Sequence, residues 1–269
     1  MKKIHKEFPK SFAEFVTMID SYQKASDDPL WFRGTGRSSH PLKPGLYRHL
    51  VKKRPAELER MERELLSRFK LRSVPFHDKQ FADDWENMFL MQHYRIPTRL
   101  LDWTENPVTA LYFAVTQAHP AKSKAGTFTY DKPAAVWMLN PTEWNRYALR
   151  SLSYEEGPLS PEDQALKAYR ILSRTGSIYP VALYGVHNSP RIVAQRGVFT
   201  VFGSKNMSMQ HFYRTDGFPK GCLVKFVLTA DRIPSVRQAV FRHGVTESVI
   251  FPDLEGLAQE IRRIFEFEG

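Results

Sequence analysis

The apolar run Leu30-Trp31-Phe32 is closed by an arginine followed by two glycines, in the order Phe32-Arg33-Gly34-Thr35-Gly36. A guanidinium at the mouth of a sheet can fork onto a phosphate, and glycines beside it let a ligand approach the backbone. The same arginine can equally pair with a core carboxylate and merely close the strand. A second group lies further on: Gln92-His93, then Arg99, then Asp102-Trp103-Thr104-Glu105 between Leu100-Leu101 and the helix start Asn106-Pro107. Asp102 and Thr104 can hydrogen-bond a ribose, and Trp103 can stack on a flat ring. Alternatively Asp102 caps the turn and pairs with Arg99 or Arg33, with Trp103 in the core. His93 is a base or a structural donor. Gln92, seven positions after Trp85, shares the buried face of its helix, so its amide needs partners. In a third group, Arg191 to Phe199, Gln195 either aims into a cleft or belongs to a simple hairpin.

Metal chemistry finds no support in the spacing. There is no HExxH and no histidine pair, and the single cysteine, Cys222, allows neither an internal disulfide nor a Cys-based zinc site. No carboxylate cluster suggests a two-metal hydrolase.

The formal net charge is +10 and the pI about 9.6, an excess that favours polyanionic partners. Two acid-free stretches carry much of it, Trp31 to Pro55 and Gln164 to Thr215. Together they could line one positive surface. Arg37, Lys43, Arg48, Lys52, Lys53 and Arg54 in the first, with Arg196 and Lys205 in the second, are the expected nucleic-acid contacts. The alternative is a solvated basic face with no ligand. No apolar run approaches the ~18 residues of a membrane span. The opening MKKIHKEFPKSF lacks the apolar core of a secretory signal. A cytoplasmic protein without membrane contact is expected.

These residues need elements to hold them. The spacing predicts helices over Ser11 to Lys24, with Ser11 and Glu14 as a capping box, and over Pro55 to Arg72, with Leu58, Met61, Leu65 and Phe69 inward. Further helices are predicted over Ala82 to His93 and from Asn106-Pro107 onward, where Val108, Leu111, Tyr112 and Val115 form a buried stripe. Ser160 to Leu172 and Leu254 to Phe265 read as helices, the latter with Leu257, Ile261 and Ile264 inward. Strands are predicted at Leu30 to Phe32, Ala134 to Leu139, Tyr179 to Tyr184, Arg191 to Ala194, Val198 to Phe202, Gly221 to Leu228 and Ser248 to Phe251. Thr35 to Gly45 is loop-like, and His119 to Lys132 is the expected exposed loop. The pattern is α+β: a single domain over 1–269, helix-rich over 1–118 and strand-rich over 133–269.

Taken together, Phe32-Arg33-Gly34, Gly45-Leu46-Tyr47-Arg48, Gln92-His93-Tyr94 and Pro97-Thr98-Arg99-Leu100-Leu101-Asp102-Trp103-Thr104 resemble the FRG domain, named for its Phe-Arg-Gly signature. Asn106-Pro107, Ala110 to Ala114, Arg191-Ile192, Gln195-x-Gly197-x-Phe199 and Phe251 to Leu254 continue the resemblance. It implies an ADP-ribosyltransferase-like mixed β core with an N-terminal helical part and flanking helices. It also implies NAD as substrate, without a metal. Phe32, Arg33, Gly34, Thr35, Tyr47 and Gln92 would face the dinucleotide, as would His93, Arg99, Trp103, Thr104 and Arg191. Arg33, Asp102, Thr104 and Gln195 would carry the chemistry, Arg33 being a strand-end residue that can be replaced without loss of fold. FRG proteins occur among bacterial anti-phage toxins, so the resemblance implies RNA, namely mRNA, and an antitoxin protein as partners. The sequence departs from the transferase pattern in one respect: the glutamate expected in the third element is missing. Arg191 stands near its place, with Gln195 four residues on. Either Gln195 substitutes, or Asp102 or Glu105 supplies the charge, or the chain is a nucleic-acid-binding module with a relict pocket.

Overall fold

The computed structural model describes residues 2–51, 53–77, 81, 83–122, 128–170, 178–186 and 189–267. The first elements are β1 (His5–Glu7), α1 (Phe12–Lys24), β2 (Trp31–Thr35), α2 (Pro55–Ser73), α3 (Asp84–His93), β3 (Leu100–Thr104) and α4 (Pro107–Thr116). A small pair, β4 (Pro120–Lys122) and β5 (Phe128–Tyr130), precedes β6 (Ala134–Leu139) and α5 (Pro141–Ala148). Then come β7 (Val181–Leu183), α6 (Pro190–Ala194), β8 (Gly197–Val201), α7 (Met209–Thr215) and β9 (Leu223–Leu228), and finally α8 (Ile233–Arg242), α9 (Glu247–Ile250) and α10 (Leu254–Ile264).

The fold is mixed α/β, with a seven-stranded sheet in the order β1-β9-β6-β2-β3-β8-β7. β1 runs parallel to β9, and the other neighbours are antiparallel. The central strands β2 and β3 come from the part of the chain read as helix-rich, so the sheet draws on both halves. Every residue of β6 is buried. Its Ala134, Val136 and Met138 meet α1, α4 and α8, while Trp137 and Leu139 join Trp31, Trp103 and Trp144 on the other face. A third apolar cluster gathers Trp85, Phe89, Leu100 and Phe199 around α3.

One junction in the sheet is weak. β2 pairs with β6 along its whole length, and β3 likewise with β8, but β2 and β3 share only the pair Phe32 and Thr104. Beyond that pair the two strands part. α4 closes the gap from one side. Asn106 Oδ1 accepts the Val108 and Thr109 N–H groups at 2.9 and 3.3 Å, and Pro107 opens the first turn. The helix lies so close to β2 that a Cβ on Gly34 would stand 1.9 Å from the Ala110 carbonyl oxygen, and one on Gly36 1.9 Å from that of Gln117. These two glycines therefore admit a helix, where the sequence suggested a ligand.

Several expectations are corrected. Arg191 to Ala194 is helical: Ser189 caps α6 by accepting the Ile192 N–H at 3.3 Å, and Pro190 starts its first turn. Ser248 to Phe251 falls in α9 and its end rather than in a strand. Ser160 does not cap a helix: the element begins at Gln164, with Asp163 at its N-cap and no side-chain cap. The predicted helix shrinks to a 3-10 turn over Gln164–Tyr169, with residues 171 and 172 outside the described residues. The loop expected at His119 to Lys132 holds the β4–β5 pair, and its residues 123–127 are also outside. Asp102, Trp103 and Thr104 lie within β3, not after it. In α2 the buried side chains are Leu58, Glu62, Leu66 and Ser73, with Met61, Leu65 and Phe69 only partly covered, because Glu62 turns inward to meet Arg99. The stripe Leu257, Ile261 and Ile264 of α10 is exposed, at 45, 47 and 58%. Among the described residues, no helix is long and apolar enough to cross a membrane.

Candidate functional site

Where β2 and β3 part, a cavity of about 220 Å³ opens. It collects residues from all three separated motifs: Phe32-Arg33-Gly34 from β2, Asp102-Trp103-Thr104 from β3, and Arg191 and Gln195 from α6 and the turn that follows it. Gln92 and His93 enter from the end of α3. Arg95, Phe89, Phe113 and Phe199 also line it and were not singled out as cavity residues from the sequence.

At its centre is a chain of hydrogen bonds. The Leu100 N–H donates to Thr98 Oγ1 at 3.0 Å, and the Thr98 hydroxyl donates to Gln92 Oε1 at 2.6 Å. With its oxygen so engaged, the Gln92 amide must turn its nitrogen the other way. That nitrogen donates to both carboxylate oxygens of Asp102, at 3.0 and 2.9 Å. Thr98 thus orients Gln92, and Gln92 fixes Asp102, whose side chain remains 52% exposed. Arg33 approaches from the opposite strand: its Nη1 donates to the Asp102 backbone carbonyl and lies 3.7 Å from Oδ2.

The rest of the wall is cationic. Arg33, Arg95 and Arg191 face one carboxylate, Asp102, among the described cavity residues. Burial, the main cause, lowers the pKa of Arg33, and the nearby Arg48 adds to the effect while Asp102 opposes it. Burial likewise lowers that of Arg191, helped by Arg95 and opposed by Asp253 and Asp102. Guanidinium groups stay protonated under such shifts. Arg191 also sits over the Phe251 ring, 4.3 Å from its centroid. His93 is pushed below the ordinary histidine value by burial and then by Arg191, which favours the neutral ring. Its Nδ1 lies 3.2 Å from Ser189 Oγ.

Three of the expected groups turn out to be tied to the protein. The Thr104 hydroxyl donates to the Gln195 carbonyl at 2.5 Å and accepts the Asn106 N–H at 3.0 Å, so it fastens β3 to the α6–β8 turn. The Gln195 amide donates to the Ile250 carbonyl at 3.1 Å. The Trp103 indole is buried and donates to Thr200 Oγ1 at 3.1 Å, which removes it from ring stacking.

Three residues expected at the dinucleotide lie elsewhere. Thr35 is buried and donates to the Ala135 carbonyl. Tyr47 donates to the Gly203 carbonyl at 2.7 Å and packs edge-on against Phe202. Arg99 is buried beside Glu62, Nε to Oε1 3.0 Å, and donates to the Tyr169 carbonyl. The Arg99–Glu62 approach is off the N–H axis, so the contact is electrostatic rather than a directed hydrogen bond. Of the basic candidates, Arg37, Arg48, Arg54, Arg196 and Lys205 are exposed and Lys43 and Lys53 partly covered, while Lys52 is outside the described residues. Arg48 acts electrostatically on both Arg33 and His40, and Arg37 on His40, so these form a basic shoulder beside the cavity. Arg54 pairs with Glu57 at 3.4 Å. No group of three His, Cys, Asp or Glu among the described residues could hold a metal ion.

Comparison with known proteins bears on the first half of this site. The model of the FRG domain matches residues 28–123, the span that carries Arg33, Gln92, His93, Thr98 and Asp102, so this part of the chain is similar to FRG domains. No curated protein and no solved structure matches the chain.

Proposed function

We propose that the cavity takes the nicotinamide–ribose end of NAD and that the chain transfers ADP-ribose to RNA. One observation carries this reading: Asp102, the one carboxylate among the described residues of a cationic wall, is held by an amide that Thr98 orients. Breaking the bond between nicotinamide and ribose builds positive charge on the sugar. A fixed carboxylate lowers the energy of that charge without having to reorganise. The guanidinium groups of Arg33, Arg95 and Arg191 suit the pyrophosphate. The volume is below the ~300–1,000 Å³ of a drug-sized ligand cleft, so it suits one end of a dinucleotide, with the remainder outside.

In the step itself the C1′–N bond breaks and its electron pair leaves on neutral nicotinamide. A nitrogen or oxygen of the RNA bonds to C1′ and releases its proton to water. The missing third-motif glutamate is replaced in this scheme by Asp102, from the strand opposite. Gln195, its amide tied to Ile250, serves as wall. The resemblance to FRG toxins extends the proposal: the RNA is mRNA, the outcome is a block of translation during phage defence in the cytoplasm, and an antitoxin covers the cavity.

NAD labelled in its adenylate phosphate, incubated with purified protein and RNA, tests the reading. Label should move to RNA while free nicotinamide appears. RNA retention without nicotinamide release would instead establish a nucleic-acid-binding module.

A further inference from the structure

Behind His93 lies a second and larger concavity, about 1070 Å³, between α2, α3 and the start of α6. His93 lines both spaces, so the two share a wall. The groove differs from an ordinary apolar cleft in two respects. Its rim carries large aromatic rings turned to solvent, Phe76 at 85% and Tyr94 at 64% exposed. Its other rim carries Arg68 and Arg72, one turn apart on the same face of α2. No carboxylate is among its described lining residues. Arg68 pairs with Glu64 at 2.6 Å, but that exposed i,i+4 pair contributes little and yields readily to a phosphate.

We infer that this groove seats the RNA strand that accepts ADP-ribose, with bases stacked on Phe76 and Tyr94 and phosphates drawn to Arg68 and Arg72. The inference rests on the reading of the neighbouring cavity as the NAD site. Exposed rings interleaved with arginines, with no carboxylate among the described lining residues, are the chemistry of single-stranded nucleic-acid platforms, where the ring faces take bases of any sequence and the cations follow the backbone. An apolar protein segment would use the rings but offer no counter-charge to Arg72. The Tyr94 ring meets His93 edge-on, centroids 4.7 Å apart. A base stacked on Tyr94 therefore stands beside the wall of the NAD cavity, where an acceptor must be. The basic shoulder of Arg37, His40 and Arg48 lies on the Arg33 side and is left to more distant phosphates.

The test uses the full chain and a short fluorescein-labelled single-stranded RNA of mixed sequence, read by anisotropy, with NAD binding to the same samples read by calorimetry. Phe76→Ala combined with Tyr94→Ala should weaken RNA binding about 30-fold or more while NAD binding is unchanged. Tyr94→Phe, which keeps the ring, should bind RNA as the parent does. Arg72→Gln should reduce the slope of log affinity against log salt by about 0.7. Thermal melting of each variant checks that the fold persists, as expected for exposed side chains. RNA affinity unchanged in the double variant and in Arg72→Gln overturns the groove, whether or not the parent binds NAD; a salt-independent groove would be a protein-docking site. RNA binding that falls as described in a chain that never binds NAD keeps the groove as an RNA seat and overturns its role as acceptor site.

Discussion

One amide nitrogen of Gln92 donates to both carboxylate oxygens of Asp102, and the hydroxyl of Thr98 decides which way that amide faces. Asp102→Asn keeps the shape and removes the charge. Transfer should fall about 10²–10³-fold, the usual loss for a fixed group aimed at developing charge. Melting should shift by less than about 2 °C, because a half-exposed carboxylate stabilises the fold little. Thr98→Val should give a smaller loss of turnover, since Gln92 can still reach Asp102 but is free to flip. Turnover measured beside melting decides the point: an Asn variant as active as the parent would remove Asp102 from the chemistry.

Arg33 has a structural duty that its place in the sequence conceals. Its guanidinium supplies the Asp102 carbonyl with a donor where β2 and β3 part. Arg33→Ala should therefore cost about 1–3 kcal/mol of stability as well as NAD binding. The expectation that a strand-end arginine can be removed without effect on the fold is revised accordingly. Arg33→Lys should keep part of the affinity, having a charge but no fork. Denaturant titration of the alanine variant provides the check, and undiminished stability would mean that the carbonyl finds another donor.

Arg99 and Glu62 form a buried pair apart from the cavity. Burial raises the Glu62 carboxyl above its ordinary value despite Arg99, a sign that desolvation is large there. Arg99→Met should destabilise by about 3–5 kcal/mol by leaving Glu62 alone, whereas Arg99→Met with Glu62→Leu should recover most of that loss. NAD affinity, measured on folded double variant, should match the parent. A weakened affinity would return Arg99 to the ligand-binding residues.

Asn106-Pro107 announced α4 because a cap and a proline at the first turn are local features. Ser189-Pro190 is the same signal before α6, yet five residues show no helical period, and the following glycine suggested a hairpin. Gly34 and Gly36 were legible as sites of close approach, but what approaches is a helix from elsewhere in the chain. Gln92 was legible as a polar group on a buried face. Its partners were not, because Thr98 and Asp102 reach it only through the reversal after α3, set by a left-handed Arg95. Arg33 and Arg99 each stand in a motif, and local sequence cannot tell which guanidinium enters the cavity and which meets Glu62. The stripe of α10 was expected inward and is exposed, because periodicity does not reveal whether anything covers a face.

Lys225 should give stability a distinctive pH dependence. It stands opposite Trp137 and Lys6 in the sheet, lies over the Trp137 ring and donates to the Ser38 carbonyl. Burial, then Lys6 and Arg214, lower its pKa from 10.5 to about 8. As pH falls through that interval the unfolded chain takes up the proton first, so the folded state loses stability, and below about 8 the loss is complete. The stability of the parent relative to Lys225→Met should therefore be flat below pH 8 and climb from there to 10.5. Urea titrations across this range test it, and a flat difference throughout would mean an ordinary lysine.

Arg95 sits at φ 61°, just beyond the end of α3, where its N–H bonds to the Gln92 carbonyl at 3.0 Å and the next N–H to that of Met91 at 2.9 Å. This is the position a glycine normally takes, since a side chain there costs about 1–2 kcal/mol. Arg196, at φ 44°, follows α6 in the same left-handed conformation, its N–H bonding to the Val193 carbonyl at 3.0 Å. Strain retained at a residue whose side chain lines the cavity, as that of Arg95 does, points to a use for it there. Arg95→Gly should leave stability equal or raise it by up to about 1 kcal/mol, the relief of strain being partly offset by the freer unfolded chain. It should weaken NAD binding about 2- to 5-fold through loss of one partly screened charge. Arg95→Ala should lose the affinity without gaining stability, because the strain remains. Arg196 adjoins the cavity without lining it, so Arg196→Gly should change stability in the same direction and leave NAD affinity intact. If both residue 95 variants bind NAD as the parent does, the left-handed arginine is not retained for the anion, and the cationic wall reduces to Arg33 and Arg191.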